Sequence, residues 1–454
     1  MKYDNRIEFK NNKKLNKKGE YALYWMQNAM RVDYNHVLDF CVRKANEMDV
    51  PVLVVFIINK TYMDATENHY KFMLQGLSEV KDELLKKNIK ISFLIGETVD
   101  KVMEVCEKAS FVATEKGYLK NEKNWRQTLS SKINIPMIEV DTNVIVPVKE
   151  VSDKEEYAAY TIRPKINKML EQYALDFKVD SPNNSSLNIE LIDEVDFDIN
   201  NILSMLSLET NEYELYYKGG VSEARAHLKA FLENKLDNYA KLRNEPSLDF
   251  QSNMSMYLQF GQISPLEIYL KTKHKNNNDQ FIEELVIRRE LSYNFVYYNT
   301  DYDSYKCLPN WVIKSLDKHR EDKREYIYNL SQLENSDTHD NYWNACQKEM
   351  VLTGKMHGYM RMYWGKKVIE WTKDYKKAYE ILIYLNNKYN IDGRGPNAYA
   401  GVAWCFGKHD RPWFERNIFG KIRYMNDQGL KRKFDMDAYL KKIKRIEEFY
   451  GKVD

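Results

Sequence analysis

The feature that most constrains this 454-residue chain is a change of rhythm part-way along it. Up to about residue 150, short runs rich in β-branched residues alternate with amphipathic stretches. From about residue 205 the chain reads as helix after helix. The longest apolar run, Val50–Ile58, has the length of a buried strand and is far too short to span a membrane. Tyr21–Met26, Ile89–Ile95, Phe111–Thr114 and Met137–Val140 read as further strands. An amphipathic helix runs from the first strand to about Glu47, another covers roughly 67–87, and helical stretches separate the rest. Such alternation requires crossover helices between parallel strands, hence an α/β sheet covered by helices. The expected layout is a basic tail at 1–20, an α/β domain at 21–180, a linker at 181–204 and an all-α domain at 205–454. The linker reading rests on SPNNSSLNIELIDEVDFDINN, which mixes turn formers with acidic residues.

Composition narrows the function classes. The N-terminus is basic but lacks an apolar segment, so no secretory signal is expected. Five cysteines at 41, 106, 307, 346 and 405 form no CxxC, and the histidines show no ligand spacing. That implies a reducing compartment, cytoplasmic or, in a eukaryote, nuclear, and no metal site. The α/β half carries neither G-x-G-x-x-G nor a P-loop, so a dinucleotide fingerprint is absent. The net charge of +2 conceals an asymmetry: residues 341–454 hold 23 Lys/Arg against 13 Asp/Glu. A basic C-terminal third is the footprint of a polyanion partner, although a solvated lysine-rich surface gives the same count.

Residues 341–426 hold five of the eight tryptophans: Trp343, Trp364, Trp371, Trp404 and Trp413. Trp364 and Trp371 stand seven apart on a helical stretch, so both indoles share one face about 10 Å apart along the axis. A core seam of aromatics is one reading. The other is a site that holds an aromatic cofactor, passes electrons and stacks on bases. The interleaved polar groups, Arg361 and Asp392 among them, favour the second. Upstream, QSNMSMY (251–257) sets Ser and Asn side chains beside a helix start, as a capping loop or as an anion cradle. In FIEELVIRRE (281–290), Glu284 and Arg288 have the i,i+4 spacing of a surface ion pair.

The stretches W-N-A-x-Q-x-E, G-K-M-H-G-Y-M-R-M-Y-W, K-K-x-x-E-W, Y-L-N-x-K-Y-x-x-D-G-R-x-P-N-x-Y and G-K-I-R-Y-M resemble class II cyclobutane-pyrimidine-dimer photolyases. The resemblance covers nearly the whole chain, densely from 339 to 440, well from 219 to 300 and more loosely before 180. It implies a Rossmann-like antenna domain with a parallel sheet, which can hold an accessory chromophore of unread identity, followed by an all-α FAD-binding domain. It places Tyr239, Ser252, Asn253, Met254, Ser255 and Phe281 against FAD, the loop around its diphosphate. Arg361 and Asp392 match an ion pair facing the flavin ring. Asn386 matches an asparagine near flavin N5, with Asn397 competing. Glu284 matches the carboxyl that contacts the damaged bases. Trp364, Trp343 and Trp371 match an electron relay, Trp364 nearest the flavin and Trp371 near the surface. Met362 and Trp404 match residues touching a flipped dimer, and Arg411 and Arg423 match DNA-facing arginines.

Three departures stand out. Gly395 replaces the aspartate of G-R-D-P-N, the loop from Trp404 to His409 is one residue short, and Arg288 stands where some relatives place a tryptophan against the lesion. The first two are expected beside the lesion pocket. The activity implied is light-driven repair of pyrimidine dimers in double-stranded DNA by a monomer with FAD active as FADH⁻. A cryptochrome-like photoreceptor is the competing class. Retention of Glu284, Met362 and Trp404, and the short stretch after the last helix, favour repair.

Overall fold

The computed structural model describes residues 4–211 and 213–451. Its first third builds a six-stranded sheet from β1 (Ile7–Phe9), β2 (Tyr21–Met26), β3 (Val52–Ile58), β4 (Lys90–Ile95), β5 (Ala109–Glu115) and β6 (Met137–Val140). The order across the sheet is β1-β6-β5-β2-β3-β4. Strands β2 to β6 run parallel. Every residue of β2, β3, β5 and β6 is buried. Burial on both faces is why these strands read as continuous apolar runs rather than alternating ones. Val50 and Pro51 fall outside β3; Pro51 has no N–H for a ladder, and its carbonyl accepts from the Ala22 N–H instead.

Two stretches differ from the sequence reading. Of the basic segment expected as a tail, residues 4–20 are held to the sheet, because β1 pairs antiparallel with β6, Ile7 opposite Val140 and Phe9 opposite Ile138. An open strand edge presents unpaired backbone groups, and β1 covers them. The segment 181–204 is not a free linker. It runs along the other edge, where Val195 N–H donates to the Phe93 carbonyl and Phe197 packs on Phe93 with ring centroids 4.4 Å apart. Its last residues form a short helix, Ile199–Ser204.

Crossover helices α1 (His36–Met48), α2 (Glu67–Leu85), α3 (Thr98–Cys106) and α4 (Lys120–Lys132) cover the sheet, and α5 (Ala159–Tyr173) leads out of it. Asn35 starts α1 by accepting from the Val37 and Leu38 N–H groups, and Asp49 ends it in the left-handed region at φ 57°. The helical half contains α6 (Leu236–Leu242), α7 (Arg289–Tyr298), α8 (Asn341–Thr353), α9 (Gly358–Trp371), α10 (Tyr375–Tyr389), α11 (Pro396–Cys405) and α12 (Met436–Tyr450), with shorter helices between them. Asp340 caps α8 through the Tyr342 and Trp343 N–H groups, and Gly354 closes it at φ 68°. Among the described residues no helix is long and apolar enough to cross a membrane.

The halves share one apolar core. A single cluster runs from Ala22, Val54 and Leu74 to Leu228, Phe281, Leu285 and Ile391. Polar ties cross the same boundary. Arg31 donates to the Gly261 carbonyl at 2.9 Å. Glu290 accepts from the Ile145 and Val146 N–H groups, and burial pushes its carboxyl up to about 7. Between the halves lies a cleft lined by Asn28 after β2, Ile58 of β3, Tyr118 after β5, and Gln259 and Arg394 of the helical half. It sits at the carboxyl ends of the strands, where the chain order reverses between β2 and β5; open α/β sheets bind ligands there.

Candidate flavin and lesion site

The polar centre of the helical half is a linked set on α9, α10 and the turn after it. Arg361 Nη2 lies 3.2 Å from Asp392 Oδ1 and 3.2 Å from Asn390 Oδ1. Asn390 in turn donates through Nδ2 to Asn386 Oδ1 at 2.9 Å. The chain of bonds fixes the Asn386 amide with its oxygen used and its nitrogen outward. That Nδ2 and the Arg361 Nε are buried with no partner among the described residues. Two orphaned donors this close together would each cost about 1–3 kcal/mol unless a ligand accepts from them. An electron-poor heteroaromatic ring with acceptor atoms on its edge fits. Asn397, the competitor, is exposed at the start of α11.

The loop ahead of this centre, 251–255, is the one expected as a capping loop or an anion cradle. Asn253 takes the left-handed conformation at φ 57°, and Ser255 opens a short helix. Lys355, just before α9, donates to Gln251 Oε1 at 3.2 Å and to Asn253 Oδ1. Burial pushes its ammonium down to about 8, against the pull of Asp392, Glu349 and Asp249. Sequence reasoning missed Lys355 and Asn390, although both lie within the stretches that carried the resemblance. Nearby, Tyr239 of α6 meets Phe281 edge-on at 5.6 Å, and Phe281 is buried.

Glu284 sits in a π-helical turn, Glu283–Arg288, inserted just before α7. The wider turn moves the partners. Arg288 pairs with Glu283, five residues back, at 3.0 Å, rather than with Glu284. The i,i+4 surface pair expected from spacing is therefore not formed. Glu284 instead accepts from Arg243 at 2.6 Å and Gln280 at 3.1 Å. Single π-turns in longer helices cluster at functional sites because they re-aim side chains. Arg288 lies over the Trp404 ring at 5.3 Å. Trp404 is only half-buried, unlike the relay tryptophans. Met362, also half-buried, is 3.9 Å from Cys405 Sγ, so α9 and α11 bring Met362 and Trp404 to one region.

The three tryptophans expected as a relay are brought together. Trp343 Nε1 donates to the Trp364 carbonyl at 3.0 Å, and the Trp343 and Trp371 rings stand 5.6 Å apart. Trp364 Nε1 donates to Gln347 Oε1 at 2.9 Å. Trp371, expected near the surface, is 2% exposed, because Tyr328 and His339 pack over it.

Beyond α11 the chain forms an exposed basic loop pinned by the Arg416–Gly420 bridge. Arg411 is exposed, Arg423 lies over Trp413 at 5.6 Å, and Phe414 is 91% exposed. Neither Trp413 nor Phe414 was singled out by spacing. The shortened loop is accommodated by Gly407 and His409, both at positive φ, with His409 buried and its imidazole pushed down to about 4 by that burial. Gly395, expected beside the lesion pocket, stands nine residues, about 13 Å, along α11 from Trp404. Its neighbours Arg394 and Pro396 line the interdomain cleft, and a Cβ there would fall 1.7 Å from Gln259 Oε1.

The DNA photolyase family model matches residues 22–183. A deoxyribodipyrimidine photo-lyase of Methanothermobacter thermautotrophicus is 43% identical over 446 residues, covering 98% of this chain and 99% of that one. The chain belongs to the photolyase family. A deoxyribodipyrimidine photo-lyase of Arabidopsis thaliana is 40% identical, covering 94% of this chain and 89% of the relative. The photolyase fold is seen again in an archaeal photolyase from Sulfolobus tokodaii solved with two FAD molecules, with a TM-score of 0.69 and 16% identity, covering 93% of this chain and 89% of that one. The α/β half followed by a helical half is thus the arrangement of this family.

Proposed function

We propose that the chain is a FAD-dependent photolyase that repairs cyclobutane pyrimidine dimers in double-stranded DNA. The observation that carries this is the pair of orphaned donors, Asn386 Nδ2 and Arg361 Nε, on the linked set Arg361–Asp392–Asn390–Asn386. Lys355 and the loop Ser252–Ser255 would hold the diphosphate, with Tyr239 and Phe281 packing nearby. Arg361, kept in place by Asp392, would balance negative charge on the ring. The Asn386 amide would donate to the ring edge at N5. When bound, reduced FAD (FADH⁻) supplies on excitation the electron that splits the cyclobutane ring and then takes it back.

The protein's own part is recognition and water exclusion. Enzymes acting on bases inside a duplex extrude them into a pocket, photolyases included. Trp404, with Arg288 over its ring, and Met362 would form the wall on which a flipped dimer stacks, and Glu284 would hold its polar edge. The exposed Trp413 and Phe414, near Arg411 and Arg423, would enter the gap left in the duplex, as apolar wedges do. Trp364, Trp343 and Trp371 would resupply electrons to oxidised flavin. The interdomain cleft has the position and lining for an accessory chromophore.

The test is repair of an ultraviolet-damaged oligonucleotide under blue light against a dark control. Light-dependent return of intact thymines is expected. Flavin-loaded protein that changes colour in light yet restores no thymine makes the chain a photoreceptor instead.

A further inference from the structure

The polar set on α9 and α10 is closed from outside its own half. His69, on the first turn of α2 in the α/β half, stands against the turn that follows α10. Its Nε2 lies 3.2 Å from the Asn390 carbonyl oxygen, 321 residues along the chain. His69, Asn390 and Asn386 are all buried.

The start of α2 explains why a histidine can make this reach. Thr66 caps the helix, and its backbone N–H donates to His69 Nδ1 at 3.0 Å. At the third helical position that role usually falls to Glu or Gln. An imidazole fills it with one nitrogen and keeps a second, on the far side of the ring, for another partner. Burial and the nearby Arg394 guanidinium push the imidazole well below its ordinary range, so the ring carries one proton. The Thr66 N–H occupies the Nδ1 lone pair, which leaves that proton on Nε2, facing the Asn390 carbonyl. Arg394 Nη1, 2.9 Å from the same nitrogen, is already committed to the Asn387 carbonyl.

The carbonyl so held belongs to the residue that orients the flavin-facing amide. Asn390 accepts from Arg361 on its side-chain oxygen and gives its nitrogen to Asn386 Oδ1. The next residue is anchored separately, by the Ile391 N–H on the Gly354 carbonyl at 2.8 Å. Loss of the His69 bond therefore lets the Asn390 peptide tilt without undoing the turn. A tilt frees the Asn386 oxygen, and the amide can then turn over. With nitrogen outward the amide donates and favours a ring-edge nitrogen without a proton; with oxygen outward it accepts from one that carries a proton.

We propose that His69 is a positioning residue for the flavin: from the α/β half it holds Asn390, and through Asn390 it keeps the Asn386 nitrogen turned to the ring edge. The proposal rests on the flavoenzyme reading above. It makes the protonation state of the one-electron-reduced ring depend on a side chain of the other half.

Two substitutions separate positioning from packing. His69→Leu keeps the bulk and loses both bonds. His69→Gln carries an acceptor and a donor on one amide and can make both. In flavin-loaded protein reduced by one electron, uptake of a solvent proton at the ring edge is followed as the change from red to blue flavin absorption. His69→Leu should speed that change by about tenfold, the usual net contribution of one hydrogen bond. His69→Gln should keep the wild-type rate. In an Asn386→Ala background His69→Leu should add nothing, because residues acting through one group are not additive. A further readout needs no flavin and no variant: ¹⁵N shifts of His69 in the flavin-free protein should place the ring proton on Nε2. A wild-type rate in His69→Leu, a full additional effect beside Asn386→Ala, or a ring proton on Nδ1 each overturns the proposal while leaving the flavoenzyme reading standing. Protein that takes up no flavin removes that reading, and this one with it.

Discussion

Lys355 shows how a single residue can tie cofactor uptake to pH. Its ammonium is pushed down to about 8 by burial in the absence of any phosphate. A diphosphate beside it favours the charged form and raises that value. Below pH 8 the lysine is already charged, and affinity for FAD should be flat. Above pH 8 binding must take up a proton, so affinity should fall, by up to about tenfold per pH unit. Titrating the apo-protein with FAD between pH 7 and 9.5 reads this directly. Lys355→Met should lower affinity and remove the slope; a slope that survives in Lys355→Met assigns the titration elsewhere. None of this was legible in the sequence, because nothing in the local pattern around Lys355 marks a buried lysine. That Trp343, Trp364 and Trp371 lie together was legible, since spacing on α9 and the surrounding motif both constrain it. The orphaned Asn386 nitrogen was not, since it depends on Asn390 consuming the amide oxygen.

Among the elements, the π-turn and the basic loop are where sequence periodicity misled or fell silent. Counting i,i+4 pairs assumes 3.6 residues per turn, and Glu283–Arg288 breaks that assumption. The strands were read well, for β-branched runs buried on both faces leave few alternatives. The coverage of β4 by 181–204 was not read, because turn formers and acidic residues look the same in a free linker and in a strap. The loop from His409 to Tyr424 supports a prediction. Arg423 is stacked over Trp413 at the surface, whereas Trp404 lines the half-buried wall. Phosphate contacts release counterions and carry no sequence information, while stacking is worth about 1–3 kcal/mol per base and is nearly salt-independent. Arg423→Ala should weaken damaged and undamaged DNA alike and flatten the salt slope by about one charge. Trp404→Ala should erase the preference for damaged DNA with the slope unchanged. Titrations of both variants on both DNAs at several salt concentrations decide it; full discrimination retained in Trp404→Ala would move the lesion pocket elsewhere.

At the scale of the whole molecule, the two halves meet through a shared apolar core and enclose a cleft whose rim holds Gly395. The backbone there is ordinary, at φ −116° and ψ 175°, so no conformational demand reserves the position for glycine. What reserves it is occupancy by the Gln259 amide. The two sites therefore cannot vary independently. A side chain at 395 is admissible only after residue 259 has become shorter or turned away, and a long residue at 259 is admissible only while 395 stays bare. Gly395→Asp alone should cost about 1–3 kcal/mol of stability through overpacking, and Gln259→Ala introduced beside it should recover most of that, as thermal melts of the single and double variants would register. Residues 395 and 259 thus compete for one space in the seam, and a chain carrying both aspartate and glutamine there must send the Gln259 amide out into the cleft.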